Sequence, residues 1–429
     1  MSRRATVLMQ SLLPQLQLPD PWQQRIRAGL AHLSAKRRPP ALPIGLDIAD
    51  GVVRLLQLRT GADGLSIGGA TRQVFACDRD ACDEWRAAKP AVLAGLAEPG
   101  MVGERVVVSM PRSLVKYKAI RLGAAQTPAE RVHVLAEEAK SAFGIDLSSG
   151  DYAAHFLESE SLRRQEQVEG TLVVARQTDA AEFVSELTSW GLEVAAVDLE
   201  PMSLLRSVSR FGKREEDARE ANVLIDVGSR ATRVVIGRGQ KMSFYKSIPI
   251  GGRTIAATSA AVLGLDESEA QLLMRAENTR GDHGTEENLV RRSIRNAVRS
   301  VASDLARELT LCIRYHSVTF QGRPPRVAHV VGGGATPLLV DRLQAAMDAL
   351  LPIRLAPRNL LRIVPETLNG SASIENPLAW GKAFGLALQA TAPGLTDHSR
   401  TGATRSEQAE RDDRLSVAET KPIEMGVAA

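Results

Sequence analysis

A chain of 429 residues with 44% hydrophobic content and 24% charged residues is too long for one small core and suits two lobes of about 150 to 200 residues each. Three cysteines, Cys77, Cys82 and Cys312, an odd number with no secretory leader expected, favour neither a disulfide framework nor a zinc site, which leads to the expectation of a reducing cytosol. No run of 18 apolar residues crosses a membrane, and the net charge of +4 conceals an arm of seven Arg or Lys against Asp20 alone in residues 1–40, so the slightly acidic body excludes a nucleic-acid groove.

Within residues 1–40, Asp20 as cap, Pro21 in the first turn and Gln23 closing a capping box signal a helix with Trp22, Ile26, Leu30 and Leu33 on one face. Arg25, Arg27, Lys36, Arg37 and Arg38 beside it suit an anionic membrane surface or a partner, and equally a short helix packed on its own domain before a basic linker. Pro39, Pro40 and Pro43 mark the entry to the body.

Residues 41–103 read as a first half-domain. The run IGLDIADGVVRLLQ from Ile44 to Gln57 is a buried strand ending at Asp47, a tight tip and a returning strand, followed by a third strand near 66–75 and a helix around 85–96. Residues 104–200 read as an inserted α+β unit. Its strands fall near 105–110, 116–121, 152–157, 171–175 and 194–198; Thr127, Pro128 and Glu130 open one helix, and a second from about Asp179 turns Phe183, Leu187 and Trp190 inward.

The stretch VLIDVGSRATRVVI, Val223 to Ile236, superimposes on Ile44 to Gln57 without a gap. Asp226 falls on Asp47, Gly228 on Ala49 and Arg233 on Arg54. A Gly-Ser turn lets backbone amides approach an anion, and a neighbouring carboxylate suits a hydrated divalent cation. Asp and Gly also open ordinary hairpins; the recurrence is what suggests a duplicated domain around a ligand. Further on come a strand at 242–250, a helix at 253–262, a second capped by Asp266 and Glu269, and a polar loop at 280–286.

Ile294, Val298, Val301, Leu305, Leu309, Cys312 and His316 then form the stripe of one long amphipathic helix, which core packing explains in full. HVVGGGATPLL, from His329 to Leu339, is a strand, three glycines and a helix start with Thr336 as cap and Pro337 in the first turn. Gly332, Gly333 and Gly334 leave bare backbone at the positive end of that helix, where a flat or anionic ligand can lie. A last helix at 379–388 completes residues 201–390 as the second lobe and returns to the first; residues 391–429 read as a disordered tail.

Hairpin, hairpin and glycine turn resemble, in that order, the two phosphate motifs and the adenosine motif of the actin, Hsp70 and sugar kinase superfamily. VVVSMPRSLVKYKAIRL, Glu137-Glu138-Ala139, TSWGLEVAAVDLEPMSLLRSV, Ile248 to Gly252, Gly264-Leu265 and Asn376-Pro377 are similar to the PilM family, the actin-like cytoplasmic component of type IV pilus assembly, over about residues 43–390. The resemblance implies an α/β, actin-like (ribonuclease H-like) two-lobed fold with a duplicated core and an inserted α+β subdomain.

It further implies ATP with magnesium between the lobes. Asp226, Gly228, Ser229 and Thr232 would meet the phosphates, Asp47 and Asp226 the metal through water, Gly332, Gly333 and Gly334 the adenosine, and Arg275 the base. The implied partner is the N-terminal cytoplasmic peptide of a PilN-like inner-membrane protein, with other pilus platform proteins, at the cytoplasmic side of the inner membrane. The first turn departs from the family pattern. Ala49, Asp50, Gly51, Val52, Val53 and Arg54 replace a Gly, serines and a Lys, so a nucleotide-binding scaffold is expected rather than a vigorous ATPase. An FtsA-like filament former and a small-molecule kinase of the same superfamily stand as alternatives.

Overall fold

In the computed structural model, residues 41–61, 64–76, 84–123, 126–159, 167–209, 221–280, 289–319, 325–358 and 376–391 are described. The basic arm at 1–40, Cys77 and Cys82, and the tail beyond 391 lie outside them.

Two five-stranded sheets share one plan. The first runs β3 (Gly64–Val74), β2 (Val52–Gly61), β1 (Ile44–Ala49), β4 (Arg105–Ser109), β8 (Glu193–Asp198). The second runs β11 (Lys241–Ile248), β10 (Thr232–Arg238), β9 (Asn222–Val227), β12 (Val327–Val331), β13 (Arg354–Pro357). In each, an antiparallel meander of three strands is extended by two parallel strands. The gap-free superposition is exact in register: Asp47 pairs with Arg54 across β1 and β2, and Asp226 with Arg233 across β9 and β10.

A third sheet orders β5 (Val115–Gly123), β7 (Gln167–Arg176) and β6 (Tyr152–Glu158), and helix α2 (Pro128–Phe143) covers it, starting at the expected Thr127–Glu130 capping box. Two strands from the stretch 104–200 do not join it. β4 and β8 sit in the first sheet, because VVV at 106–108 is buried on both faces and needs a central position. The helix α3 (Gln177–Ser189) follows them, packing Phe183 and Leu187 against Ile44, Leu46 and Trp85. The helix expected around 85–96 begins as a short 3₁₀ turn, Glu84–Ala88, before α1 (Lys89–Leu96).

Strand alternation decides what lies between the sheets. Val223, Ile225 and Val227 of β9 face the long helix α7 (Leu289–Thr319), whose stripe from Ile294 to His316 is buried as read. Leu224 faces the other way, into a cluster with Leu56 and Leu58 of β2 and with α4 (Glu200–Ser209) and α9 (Gly381–Gln389). Period two places Asp47, Arg54, Asp226 and Arg233 on this same inner face, with α4 and α9 sandwiched between the sheets. Gly385 permits that layer, since a methyl there would run into the Ser203 backbone. The remaining helices are α5 (Gly252–Leu263), α6 (Glu267–Arg280) and α8 (Pro337–Asp348); α6 is opened by the reciprocal Asp266–Glu269 bonds and α8 by the Thr336 cap.

Candidate functional site

The two hairpin tips and the glycine turn converge on one cavity of about 280 Å³. Asp47, Asp226, Gly228, Ser229, Gly332, Gly333 and Gly334 all line it, together with Arg54, Arg72, Arg233 and Lys382. Its other end is apolar, built by Ile255, Met274, Ile294, Val298 and Leu338, with Gln271 and Arg253 at the edge. Sequence reading missed this end because its residues belong to four helices and carry no motif. One expected residue is not brought in: Thr232 is fully buried and its hydroxyl donates to the Ile250 carbonyl at 2.7 Å. Arg275 lies on α6, and its side chain is outside the described residues. Thr232 opens β10, where the β11 side of the sheet, not the tip, offers its hydroxyl an acceptor.

The three glycines do different work. Gly332, at a φ of 105°, leaves no room for a methyl, which would lie 2.6 Å from Asp226 Oδ1 and closer still to the Val227 carbonyl. Gly334 packs against the Gly228 and Val227 carbonyls and donates its amide to Val227 at 2.8 Å. Those two let the glycine turn and the second hairpin tip lock together. Of the three, Gly333 alone has room for a methyl, which would have Arg54 Nη2 and Ala379 as its nearest neighbours at 3.6 and 3.9 Å.

The floor is an ion-pair chain that the sequence did not announce. Asp47 Oδ1 meets Lys382 Nζ at 2.7 Å and Oδ2 meets Arg54 at 3.4 Å; Lys382 reaches Glu200 at 3.3 Å; Glu200 meets Arg233 Nε at 3.1 Å; Arg233 meets Asp226 at 3.4 Å. Three carboxylates and three cations thus balance in a buried setting. Burial alone would raise the Glu200 carboxyl, but Arg233, Lys382 and Arg112 overcome it and hold it at about 2. Burial dominates at Asp226, which is raised, with Glu200 and Asp47 adding to the effect. Lys382 and Arg233 are both held more firmly protonated by the carboxylates around them, against the pull of burial.

Asp50 of the first tip also lines the cavity. It pairs with Arg230 of the opposite tip at 3.4 Å, closing the mouth between the hairpins. Behind this pair and the Glu200–Arg233–Lys382 chain lies a second cavity of about 670 Å³ between the first sheet, β5 and β11. Ile48, Trp85, Met110 and Phe143 give it apolar walls, and Arg112, Lys116 and Lys246 give it positive charge. Tyr117 of β5 stacks edge-on with Tyr245 of β11 at 4.8 Å, and burial raises the pKa of both phenols. Among the described residues no group of three or more His, Cys, Asp or Glu could hold a metal ion, and no helix is long and apolar enough to cross a membrane.

A hydrated magnesium needs carboxylate oxygens free to order its water shell. Asp47 has a cation on each oxygen and Asp226 has Arg233 on one of its two. The floor therefore does not fit the metal role that the sequence resemblance implied for these two acids. A phosphate-bearing ligand does fit: an apolar end for a base, bare backbone at Gly333 and a wall of guanidinium and ammonium groups.

Two sheets of identical plan facing each other across two helices, with paired acid hairpins and a glycine turn at their cleft, define an actin-like two-lobed ATPase fold. The chain is similar over 83% of its length to the whole of a chain in the solved PilM–PilN type IV pilus biogenesis complex, with a TM-score of 0.65 at 20% identity, so it has that protein's fold. Weaker likenesses link it to the ethanolamine utilization protein EutJ from Carboxydothermus hydrogenoformans, at TM-score 0.45, 15% identity and 82% of this chain against 90% of that one. Another is the archaeal actin homologue Ta0583, at TM-score 0.41, 16% identity, and 81% of this chain against 99% of that one. No family model matches the sequence, and no curated protein matches it.

Proposed function

We propose that this chain is an actin-like, ATP-binding scaffold on the cytoplasmic face of an inner membrane, where it holds the N-terminal cytoplasmic peptide of a PilN-like protein in a pilus or related secretion platform. The observation that carries this reading is the fold likeness over the entire length of the pilus protein, including the small third sheet beside the first lobe. ATP is the ligand assigned to the cleft, its base against Met274 and Ile294 and its phosphates toward Arg54 and Lys382. Asp47, Asp226, Gly228, Ser229, Gly332, Gly333 and Gly334 form the cleft's polar surround; Thr232 supports the tip from behind.

The second cavity supports a peptide-binding role. It is larger than the cleft, opens between the first sheet and β5, and shares the wall of Ala49, Asp50, Arg233 and Lys382 with the nucleotide cleft. Residues 41–103, 104–200 and 201–390 serve in this reading as first half, peptide-holding insertion and second lobe. Calorimetry with a PilN-type N-terminal peptide tests it directly. Saturable heat, lost in Trp85→Ala or Phe143→Ala, is expected; an absence of both heat and a rise in melting temperature overturns the proposal.

A further inference from the structure

The ion-pair chain raises the question of what charge the cleft still lacks. Arg54 and Arg72 are direct cross-strand partners on β2 and β3, and both line the cavity. Like charges directly opposite on one face repel. Arg54 Nε is buried without a hydrogen-bond partner, and its one carboxylate contact is long at 3.4 Å. A guanidinium walled in at a cavity with unused donors is a receptor for an anion.

The opposite holds for a divalent cation. It would have to stand beside Asp47, where Lys382 Nζ already lies 2.7 Å from Oδ1, or beside Asp226, where Arg233 lies 3.4 Å from Oδ2, and it would add two positive charges to a wall where Arg54, Arg72, Arg233 and Lys382 already face Asp47, Asp50 and Asp226. The ammonium is a tethered cation, delivered by α9 and fixed between Asp47 and Glu200.

We propose that the cleft takes its phosphate-bearing ligand free of any divalent cation, with Lys382 occupying the place against Asp47 that a hydrated metal would need and Arg54 with Arg72 receiving the phosphate charge. This rests on the nucleotide reading of the cleft. Its consequence is that uncomplexed nucleotide, not the magnesium complex, is the better ligand, since the complex brings a cation that the site must expel.

The test is ATP affinity of the full-length protein by calorimetry, once in excess EDTA and once in excess magnesium. Binding in EDTA is expected to match that in magnesium or to exceed it by up to about tenfold. A weakening of about tenfold or more on adding EDTA overturns the proposal. Lys382→Met, which frees Asp47, is expected to invert the preference, losing affinity in EDTA and regaining it with magnesium; an unchanged preference also counts against the proposal. Should that variant fail to melt cooperatively, Arg54→Gln at the cavity wall is expected to lose the EDTA binding instead.

If ATP gives no heat in either buffer, the nucleotide reading falls, and sodium pyrophosphate in EDTA then decides the anion claim by itself. A rise of about 2 °C or more in melting temperature upholds the claim, and no rise overturns it.

Discussion

The two hairpins make an internal control, because they have one strand register and two different tips. β1–β2 and β9–β10 each set an Asp opposite an Arg, with the same 3.4 Å contact between them. At the first tip, Asp50 and Gly51 turn the chain in two residues, both with positive φ of 51° and 75°, so the strands close tightly. At the second, four residues from Gly228 to Ala231 make a wider turn, whose Gly228 and Ser229 carbonyls accept from the amides of Gly252 and Arg253, while Gly334 donates to Val227 just before it. Strand pairing fixes where the carboxylates stand, and turn length fixes what can approach them. Both tips line the cleft, but the first is latched to Arg230 and the second is locked to the glycine turn.

Breaking the second tip's seat should have the largest effect. Gly332→Ala places a methyl against Asp226 and Val227 at a φ that L side chains rarely adopt, and should cost about 4 kcal/mol in urea unfolding, whereas Gly333→Ala should cost less than about 1 kcal/mol. Equal losses in the two variants would mean that the glycines do not divide their roles as described.

The link between hairpins comes next. Glu200→Gln leaves Lys382 and Arg233 facing each other in a buried setting, and a loss of about 3 kcal/mol is expected in the same assay. The Glu200 carboxyl lies below its unfolded value, so its contribution is complete above the ordinary carboxylate pKa of 4.5 and fades only as pH falls toward about 2.

Mild acid should instead act on the second lobe alone. Burial, with Arg238 adding, lowers His316 from 6.5 to about 4, and its ring meets the Ser243 hydroxyl at 2.9 Å beneath β11. The folded state prefers the neutral ring, so stability should decline as pH drops from 6.5 to about 4, by about 2 kcal/mol at about pH 5. His329 of β12 is lowered to about 4 in the same way, so His316→Gln should remove about half of the combined slope in urea midpoints measured across the range.

The smallest expected effect is at the latch. Asp50→Asn keeps a residue that tolerates positive φ but loses the partly exposed Arg230 pair, and should cost about 0.5 kcal/mol. The melting temperature of the variant should fall slightly and become less sensitive to salt.

Local signals carried most of the fold. The Asp47/Asp226 superposition, the Thr127 and Thr336 caps, the Asp266–Glu269 box and the stripe from Ile294 to His316 all lie within a few residues of what they determine. The cleft was legible where it is made of turns. It was not legible where side chains arrive from afar: Lys382 comes from the last helix to meet Asp47 of the first strand, and Glu200 from a helix between the sheets. The metal role expected for Asp47 and Asp226 came from a carboxylate beside a Gly-Ser turn and from the resemblance, neither of which shows the cations that face both acids. The Asp50–Arg230 pair between the two tips was likewise not legible, because its partners lie 180 residues apart.

The most direct measurement is a crystal structure of the full chain with a non-hydrolysable ATP analogue in EDTA. The account expects its base against Met274 and Ile294, and its phosphates within hydrogen-bond reach of Arg54 and Lys382 beside Gly333. An analogue bound anywhere else, or a cleft that stays empty at saturating concentration, contradicts it.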